Sequence, residues 1–433
     1  MYFDDIAKIN FTGHDSENPL SYRYYQADKK ILNKTMVEHL RIAICFWHTF
    51  CWQGNDIFGE GTFRRDWLSV ENPLKRAENR AIAAFEFFEK LGVPFYTFHD
   101  RDVSPEAEDL KTTHYYLQHM TDFLKNSMEK TGVKLLWGTA NLFSHSRYAA
   151  GAATNPNPEI FAYAASQVKH AMNMTQALGG ENYVLWGGRE GYDTLLNTDL
   201  KKELTQYARF LSLVVEYKYK IGFKGALLIE PKPCEPTKHQ YDFDTATVYA
   251  FLSKFGLEKE FKVNIEGNHA TLAGHSFEHE VATAFAYDLF GSIDANQGDP
   301  QLGWDTDQFP TDLRTNTAVL YQILSNGGFI TGGFNFDTKL RRQSLDLADL
   351  FYGAISGIDA LAKALENAAK LIAAKKIQTM KETRYESWQT ELGNNILNQT
   401  ISLTDLDRYV TERSLSPKPV SGKQELLEIL MSM

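Results

Sequence analysis

Short, almost uninterrupted apolar segments alternate with longer segments of helical periodicity from about residue 36 onwards. The short segments are rich in Val, Ile, Phe and Tyr, and they lack the polar alternation of a strand that faces water on one side. Such strands are typical of parallel sheets that are covered on both faces. The eight segments are Ile42–Trp47, Val93–Phe98, Lys134–Thr139, Tyr183–Trp186, Ala226–Ile229, Lys262–Ile265, Gly291–Ile293 and Gly328–Asn335.

The segments between these predicted strands carry start and stop signals of helices. Pro73–Leu91 keeps apolar residues at helical spacing and is followed by Gly92, a residue type that favours helix C-termini. Asn155–Gly179 begins with Asn-Pro-Asn-Pro-Glu, a capped start with proline near the first turn, and Leu200–Lys220 and Ser276–Leu289 behave similarly. Because strands that alternate with helices indicate parallel βαβ units, eight units predict an α/β fold, the (β/α)8 TIM barrel.

The two ends of the chain do not follow this rhythm. Residues 1–35 are polar with interspersed aromatics and predict an irregular N-terminal extension to a catalytic barrel of residues 36–345. Residues 346–433 predict a helical C-terminal arm: the chain is almost wholly helical through Lys376, then polar and irregular, with a last helix at Lys423–Met431. The arm is either a wrapping element at a subunit interface or a loosely held end.

Composition and charge exclude several classes of partner. The chain of 433 residues is 43% hydrophobic and 23% charged, with 45 Lys and Arg against 55 Asp and Glu, which gives a formal net charge of −10. No basic stripe accompanies this balance, so neither nucleic acid nor an anionic membrane is an expected partner. An acidic surface favours solubility and leaves carboxylates available for hard cations.

The cysteines and the apolar segments indicate a cytoplasmic location. Cys45, Cys51 and Cys234 are an odd number at spacings that suit neither a disulfide framework nor a zinc site. The first residues contain two acids and no apolar core of a secretory signal. No stretch of about 18 uncharged apolar residues occurs, so we expect no membrane span.

Polar side chains follow nearly every predicted strand. His48 comes after the first strand, His99 and Asp102 after the second, and acidic residues after four of the others. In a TIM barrel the C-terminal ends of all strands converge on one mouth. A single charge in such a position is usually a solvated turn, but so many carboxylates at one rim would repel each other unless a cation neutralised them. The set therefore predicts a metal site.

The donor types narrow the choice of ion. The candidate ligands are six carboxylates and one imidazole, namely Glu230, Glu266, Asp294, Asp305, Asp307, Asp337 and His269. An oxygen-rich set without cysteine suits Mg²⁺, Mn²⁺ or a similar octahedral ion and argues against structural zinc. One such ion commonly takes fewer than six carboxylates from a protein, because it keeps several waters. The number of carboxylates therefore favours two neighbouring ions. Trp47, Trp137 and Trp186 near strand ends are either core residues or flat walls for a sugar.

At these residues the sequence resembles the xylose isomerase family, specifically its longer subclass with an N-terminal extension. The resemblance covers essentially the whole chain, and several long motifs occur in the family's order. The motifs are FHDRD (98–102), LWGTANLFSH (136–145), VLWGGREGY (184–192), LIEPKPCEPTKHQYD (228–242), NIEGNHATLAGH (264–275), DANQGDPQLGWDTDQFP (294–310) and GGFNFDTKLRRQS (332–344).

The resemblance implies catalytic roles and two metal sites. His99 would bind the cyclic sugar and assist ring opening, Asp102 would orient its imidazole, and Lys232 would polarise the carbonyl oxygen. The first metal site would consist of Glu230, Glu266, Asp294 and Asp337. The second metal site would consist of Glu266, His269, Asp305 and Asp307.

The resemblance also implies contacts with the substrate and between subunits. The residues that would contact the sugar are Trp47, Thr139, Phe143 and Trp186. Phe58 would be the aromatic side chain that enters a neighbouring subunit's site, and the C-terminal arm would lie at an interface of a homotetramer.

The implied activity is the reversible isomerisation of D-xylose to D-xylulose, with D-glucose to D-fructose as a weaker side activity. Ring opening would be followed by a 1,2-hydride shift assisted by two divalent ions per subunit, Mg²⁺ or alternatively Mn²⁺ or Co²⁺. Such a shift needs polarised oxygens on both carbons and no general base of tuned pKa.

Two other classes of function agree less well with these residues. A metal-dependent barrel nuclease would be expected to use more histidine ligands and a basic surface, whereas His269 is the one imidazole here and the net charge is −10. A non-catalytic sugar-binding barrel is compatible with the fold, because a fold does not determine a function. The intact ligand set and the His99–Asp102 pair disfavour it.

Overall fold

The computed structural model describes residues 1–432 and contains a closed barrel of eight parallel strands. We number them β1 to β8 in chain order. Their bounds are β1 Ala43–Cys45, β2 Phe95–His99, β3 Lys134–Thr139, β4 Asn182–Trp186, β5 Ala226–Glu230, β6 Phe261–Glu266, β7 Phe290–Asp294 and β8 Phe334–Phe336. Each strand pairs with the next one along the chain, and β8 pairs with β1. The predicted TIM barrel is therefore confirmed.

A helix follows each strand and packs outside the barrel. The eight helices are α1 Pro73–Leu91, α2 Leu110–Thr131, α3 Pro158–Ala177, α4 Leu200–Ile221, α5 Thr245–Phe255, α6 Phe277–Ala286, α7 Leu313–Ser325 and α8 Ala348–Ala374. Asn, Asp or Ser caps the N-terminus of each of α1 to α7 through a side chain that accepts a main-chain N–H. Gly92 has φ 74° after α1, as expected for a left-handed C-cap.

Apolar side chains fill the inside of the barrel. Phe95, Leu136, Trp137, Val184 and Leu228 are buried there in one cluster. The near-continuous apolar character of the strands has a direct cause: one face packs into this interior and the other against the helices.

The first and last strands are shorter than the sequence predicts. The chain leaves β1 at Cys45 and forms a π-helix at Trp47–Cys51, so Trp47 is not in a strand. Before β8, Gly328 has a φ of 83°, and a Cβ on Gly332 would lie 2.0 Å from the carbonyl oxygen of Gly291. The glycines of the predicted last strand thus form a turn and a close crossing of two backbones.

Shorter elements connect and cover the barrel. Short helices occupy Met36–Leu40, Asp100–Val103 and Gly267–Leu272, with 3-10 turns at Asp66–Leu68 and Ser146–Tyr148. Two-residue strands pair at Lys30–Ile31 with Lys34–Thr35 and at Gly191–Tyr192 with His239–Gln240.

The N-terminal extension is held by hydrogen bonds and aromatic contacts. The carboxylate of Asp359 in α8 accepts the main-chain N–H groups of Arg23, Tyr24 and Tyr25 at 2.8 to 3.0 Å. Phe3 is buried, with its ring centroid 5.3 Å from that of Phe351. These contacts pack the extension against α8 and the rest of the barrel unit.

The chain divides into two compact units, residues 1–365 and 366–433, with the division inside α8. After α8 the second unit contains further helices at Lys376–Tyr385, Glu391–Leu397, Leu403–Glu412 and Gln424–Met431, and a 3-10 turn at Glu386–Gln389. The prediction of an irregular stretch after Lys376 is therefore wrong. The polar residues of this segment form short helices, and Ser402 forms a capping box with Asp405 at the start of one of them. Across residues 1–432, helices long and apolar enough to cross a membrane are absent.

Candidate metal centre

Two overlapping groups of acidic residues lie at the C-terminal mouth of the barrel. In each group, one ligand atom from every residue lies within 4.8 Å of the others. The first group is Glu230, Glu266, Asp294 and Asp337, all buried. The second is Glu266, Asp305 and Asp307. Glu266 belongs to both, and His269 Nε2 lies 3.0 Å from Glu266 Oε2 and 3.2 Å from Asp305 Oδ2.

The strand ends explain the first group. Glu230, Glu266 and Asp294 are the last residues of β5, β6 and β7, which are adjacent in the barrel, and Asp337 follows the last residue of β8. Glu266 and Asp294 are direct partners in the register of β6 and β7. Because the C-terminal ends of all strands in a TIM barrel face one mouth, the terminal carboxylates converge there. Asp305 and Asp307 lie in the loop that follows β7, and Asp307 has a φ of 42°.

Burial and mutual repulsion raise the pKa values of the first group. Desolvation, followed by the neighbouring carboxylates, raises the pKa values of Glu230, Glu266 and Asp337 well above their ordinary range. Burial also raises the pKa of Asp294, to about 6. Four such carboxylates prefer protons over full ionisation when no cation is close, and a divalent ion can replace those protons.

Amide side chains orient the carboxylates from behind. Asn264 donates to Glu230, Asn335 to Asp294, and Asn296 to Glu266, at 3.1, 2.8 and 2.7 Å. These bonds leave Asp294 Oδ2 buried without a hydrogen-bond partner. A buried carboxylate oxygen in this position is costly unless a cation meets it, so the donor set fits divalent metal ions.

Lys232 forms the edge of the second group. Its ammonium group lies 2.7 Å from Asp305 Oδ2 and 5.4 Å from the centroid of the Trp186 ring. Burial opposes both charges, but the attraction between them wins: the pKa of Asp305 is held well below its usual value and that of Lys232 is raised. The main-chain N–H of Lys232 donates to the carbonyl oxygen of Asp242 at 2.9 Å, which fixes the start of the side chain.

His99 and Asp102 form the expected pair at the end of β2. His99 Nδ1 lies 2.9 Å from Asp102 Oδ2, and the main-chain N–H of His99 donates to the same oxygen at 2.7 Å. Since Asp102 holds both the ring and the backbone of His99, it leaves Nε2 as the free nitrogen of the imidazole.

A cavity of about 510 Å³ joins these groups, and its lining includes His99, Lys232 and Glu266. Aromatic rings form a continuous wall: the Trp47 centroid lies 4.5 Å from that of His99, and the Phe143 centroid 4.4 Å from that of Trp186. The indole N–H of Trp47 donates to Asp337 Oδ1 at 2.7 Å. Trp137, which the sequence left open as core or wall, is 1% exposed but also borders the cavity.

Two of the expected site residues lie outside this cavity lining: Thr139, an expected sugar contact, and Phe58, which is expected in a neighbouring subunit's site. Thr139 is buried, and its hydroxyl donates to the carbonyl oxygen of Val184 at 2.5 Å. Phe58 is 76% exposed, with its ring centroid 6.2 Å from that of Trp304. The other expected site residues, from Trp47 to Asp337, border the cavity or belong to the acidic groups.

Several residues that contact the site received no role from the sequence. The amides Asn264 and Asn335 lie inside apolar strands, and a polar residue in a buried strand is the signal that marks these two. Asn296 lies two residues beyond a strand-end acid and has no such signal. Lys339 Nζ lies 2.8 Å from Asp307 Oδ2. His48 contacts two of the carboxylates, although as a residue after a strand end it was indistinguishable from a turn.

Comparison with known proteins covers the whole chain. A family model described as the XylA2 C-terminal domain matches residues 381–433. The chain is 61% identical over 431 residues to xylose isomerase of Haemophilus influenzae strain 86-028NP, which covers 100% of this chain and 98% of the relative. It is 60% identical to xylose isomerase of Actinobacillus pleuropneumoniae serotype 5b and 59% identical to that of Marinomonas sp., with the same coverage.

Solved structures show the same fold at low sequence identity. An L-ribulose 3-epimerase matches with a TM-score of 0.52 at 14% identity and covers 78% of this chain and 98% of its own. A D-psicose 3-epimerase from Clostridium cellulolyticum H10 matches with a TM-score of 0.52 at 12% identity and covers 76% and 100%.

Proposed function

The chain belongs to the xylose isomerase family, and on that premise we propose that it interconverts D-xylose and D-xylulose. The single observation that carries this proposal is that all the required groups line one cavity. The His99–Asp102 pair, the Lys232 ammonium and both acidic groups border the same space of about 510 Å³. Aromatic walls with a few convergent polar groups suit a small polyhydroxy substrate.

We propose two divalent ions per subunit, Mg²⁺ or alternatively Mn²⁺ or Co²⁺. The first would be held by Glu230, Glu266, Asp294 and Asp337. The second would be held by Glu266, His269, Asp305 and Asp307. When bound, such ions supply Lewis-acid polarisation of the sugar oxygens at C1 and C2, the condition for a 1,2-hydride shift. The sharing of Glu266 and the unpartnered Asp294 oxygen support this division.

His99 is proposed to move a proton during ring opening. Its Nδ1 is committed to Asp102, so Nε2 is the nitrogen that meets the substrate. Asp102 keeps the ring in one orientation and stabilises its protonated form. Ring opening needs proton transfer between the ring oxygen and the anomeric hydroxyl, and a histidine held in this way can perform it.

Lys232 is proposed to stabilise the substrate carbonyl oxygen. Its ammonium group remains charged because Asp305 raises its pKa, and the aromatic face of Trp186 limits its direction. A fixed positive charge beside an oxygen that gains negative charge lowers the barrier without further reorganisation. Trp47, Phe143 and Trp186 then wall the carbon skeleton, and Thr139 supports the wall from its buried position.

The direct test is incubation of the purified chain with D-xylose and Mg²⁺ and detection of D-xylulose. We expect ketose formation, its loss after chelation and its return with Mg²⁺. A smaller rate with D-glucose is expected, because a longer sugar must fit the same cavity. Chelator-stripped protein that isomerises xylose at the untreated rate would overturn the metal proposal. Absence of ketose with metal present would overturn the activity.

We further propose that the active form is a cytoplasmic homotetramer in which Phe58 enters a neighbouring subunit's site. Ile57 and Phe58 are 89% and 76% exposed, an unusual position for two adjacent large apolar residues. The C-terminal arm carries further exposed apolar side chains, among them Leu397 and Leu403. Sedimentation should give four times the chain mass of 49.3 kDa. A fully active monomer would exclude this assembly.

A further inference from the structure

The chain makes a single π-helical turn between β1 and the loop that follows it. Trp47–Cys51 form this turn, and the main-chain N–H of Trp52 donates to the carbonyl oxygen of Trp47 at 2.9 Å, five residues back. A π-turn holds one residue more than an α-turn, is rare, and is frequent at functional sites. This turn places Trp47 and His48 at the lining of the cavity.

Two consecutive residues of this turn reach the acidic groups. The indole N–H of Trp47 donates to Asp337 Oδ1 at 2.7 Å. His48 Nε2 lies 3.2 Å from the same oxygen and 3.1 Å from Asp307 Oδ2. The His48 side chain is 22% exposed and borders the cavity.

The two carboxylates that His48 contacts belong to different groups. Asp337 is a member of the first group and Asp307 of the second, and Glu266 is the residue common to both. Trp47 contacts Asp337 and Lys339 contacts Asp307, so each of those donors serves one group. His48 thus spans the two groups without being a member of either.

We propose that His48 is a positioning residue that couples the two metal sites. Its Nε2 lies within 3.2 Å of both Asp337 and Asp307, and a proton on this nitrogen would hold both carboxylates in the orientation that metal binding requires. Ligating carboxylates depend on such outer hydrogen bonds for their orientation, and the loss of one weakens metal affinity or activity by about 10 to 100-fold. This role rests on the proposed two-ion site.

Binding of Co²⁺ to metal-free protein, followed by visible absorption without any sugar, tests the proposal. His48→Phe removes the donor and keeps a ring of similar size, and His48→Gln keeps an N–H donor. His14→Gln, at an exposed histidine of the N-terminal extension that lies outside every acidic or histidine-rich group, is the matched control. We expect His48→Phe to weaken both Co²⁺ binding steps by about 10 to 100-fold, His48→Gln to restore part of the loss, and the control to match the wild type.

Steady-state kinetics separate positioning from substrate contact. At saturating Mg²⁺ a positioning role predicts a largely recovered kcat and an unchanged KM for xylose, whereas the Mg²⁺ concentration for half activity rises. Unchanged Co²⁺ affinities, weakening of one step alone, or a raised KM at saturating metal would each overturn the coupling role. If His48→Phe does not fold, His48→Ala, which also removes the donor, is judged by the same criteria.

Failure of the proposed function gives a different result. A wild type that binds two Co²⁺ ions but forms no xylulose would refute the isomerase activity and leave the His48 comparison valid. A wild type that binds one ion would refute the two-ion site and the coupling with it.

Discussion

Glu266 Oε2 lies 3.0 Å from His269 Nε2, although Glu266 ends a strand and His269 belongs to a helix. In a continuing strand these residues would be about 10 Å apart and on opposite faces. The chain turns at once into the short helix Gly267–Leu272, where residues three apart are neighbours. The switch from strand to helix therefore makes one carboxylate and one imidazole a joint donor pair.

The shared position of Glu266 predicts a double loss in Glu266→Gln. A neutral amide would weaken both acidic groups, so we expect fewer than two bound ions and a loss of turnover greater than about 100-fold, the upper limit for residues that only support a ligand. Metal content by mass spectrometry and xylulose formation measure the two effects. Glu278→Gln, at a half-buried carboxylate that accepts from Gln322 and lies outside both acidic groups, should bind metal and turn over as the wild type does. A folded, fully active Glu266→Gln protein would contradict the two-ion assignment.

The His99–Asp102 pair predicts a loss that depends on the form of the sugar. In His99→Asn the ring-opening proton transfer is removed, so cyclic xylose should react more slowly by about 10² to 10⁴-fold, the usual contribution of general acid–base catalysis. Sugar supplied in open-chain form bypasses this step and should suffer less. Rapid-mixing kinetics with freshly liberated open-chain sugar make the comparison. Equal losses on both forms would assign His99 to another step.

The raised pKa values predict that stabilisation by Mg²⁺ grows with pH. Without metal, the folded protein holds protons on these carboxyls that the unfolded chain releases, because Asp294 titrates at about 6 instead of 3.8 and Glu230, Glu266 and Asp337 are also raised. The contribution of these groups to the free energy of unfolding is therefore greatest below pH 3.8 and falls as pH rises through 6.

Metal binding acts in the opposite direction, since it requires ionised carboxylates. Mg²⁺ at a hundred times its Kd should add about 2.7 kcal/mol per site, and this gain should shrink as pH falls from 7.5 to 5. Thermal unfolding in Mg²⁺ and in chelator at several pH values gives the difference in Tm. A difference that stays constant over this range would contradict the prediction.

A close backbone approach predicts a selective effect of Gly298→Ala. A Cβ at this position would lie 1.8 Å from Asn268 Oδ1, and the Asn268 amide donates to Asp305. The displaced amide should release Asp305 and weaken the second ion by about 10 to 100-fold, while the first ion binds as before. The strain itself should cost about 1 to 3 kcal/mol of stability. Titration calorimetry with Mn²⁺ resolves the two ions, and two unchanged binding steps would refute the link.

The barrel was predictable because its signals are local. Runs such as Lys134–Thr139 coincide with the observed strand, and Pro73–Leu91 with the observed helix, since burial of a strand on both faces and the capping of a helix leave marks on neighbouring residues. The last strand was predicted at Gly328–Asn335 but spans Phe334–Phe336. The sequence pattern does not distinguish glycines that permit a close crossing of two backbones from small residues within a strand. The π-turn after β1 left no such mark in the pattern of apolar residues.

The sequence by itself determined which residue types arrive at the barrel mouth, because each acid follows its own strand and every parallel strand ends at the same rim. Only the tertiary structure decided which of them meet. That Glu266 belongs to both groups, that His48 spans Asp307 and Asp337, and that Asn264, Asn296 and Asn335 support the carboxylates depends on strand register and on closure of β8 against β1. Register is a relation between distant segments, and no local pattern of apolar and polar residues records it.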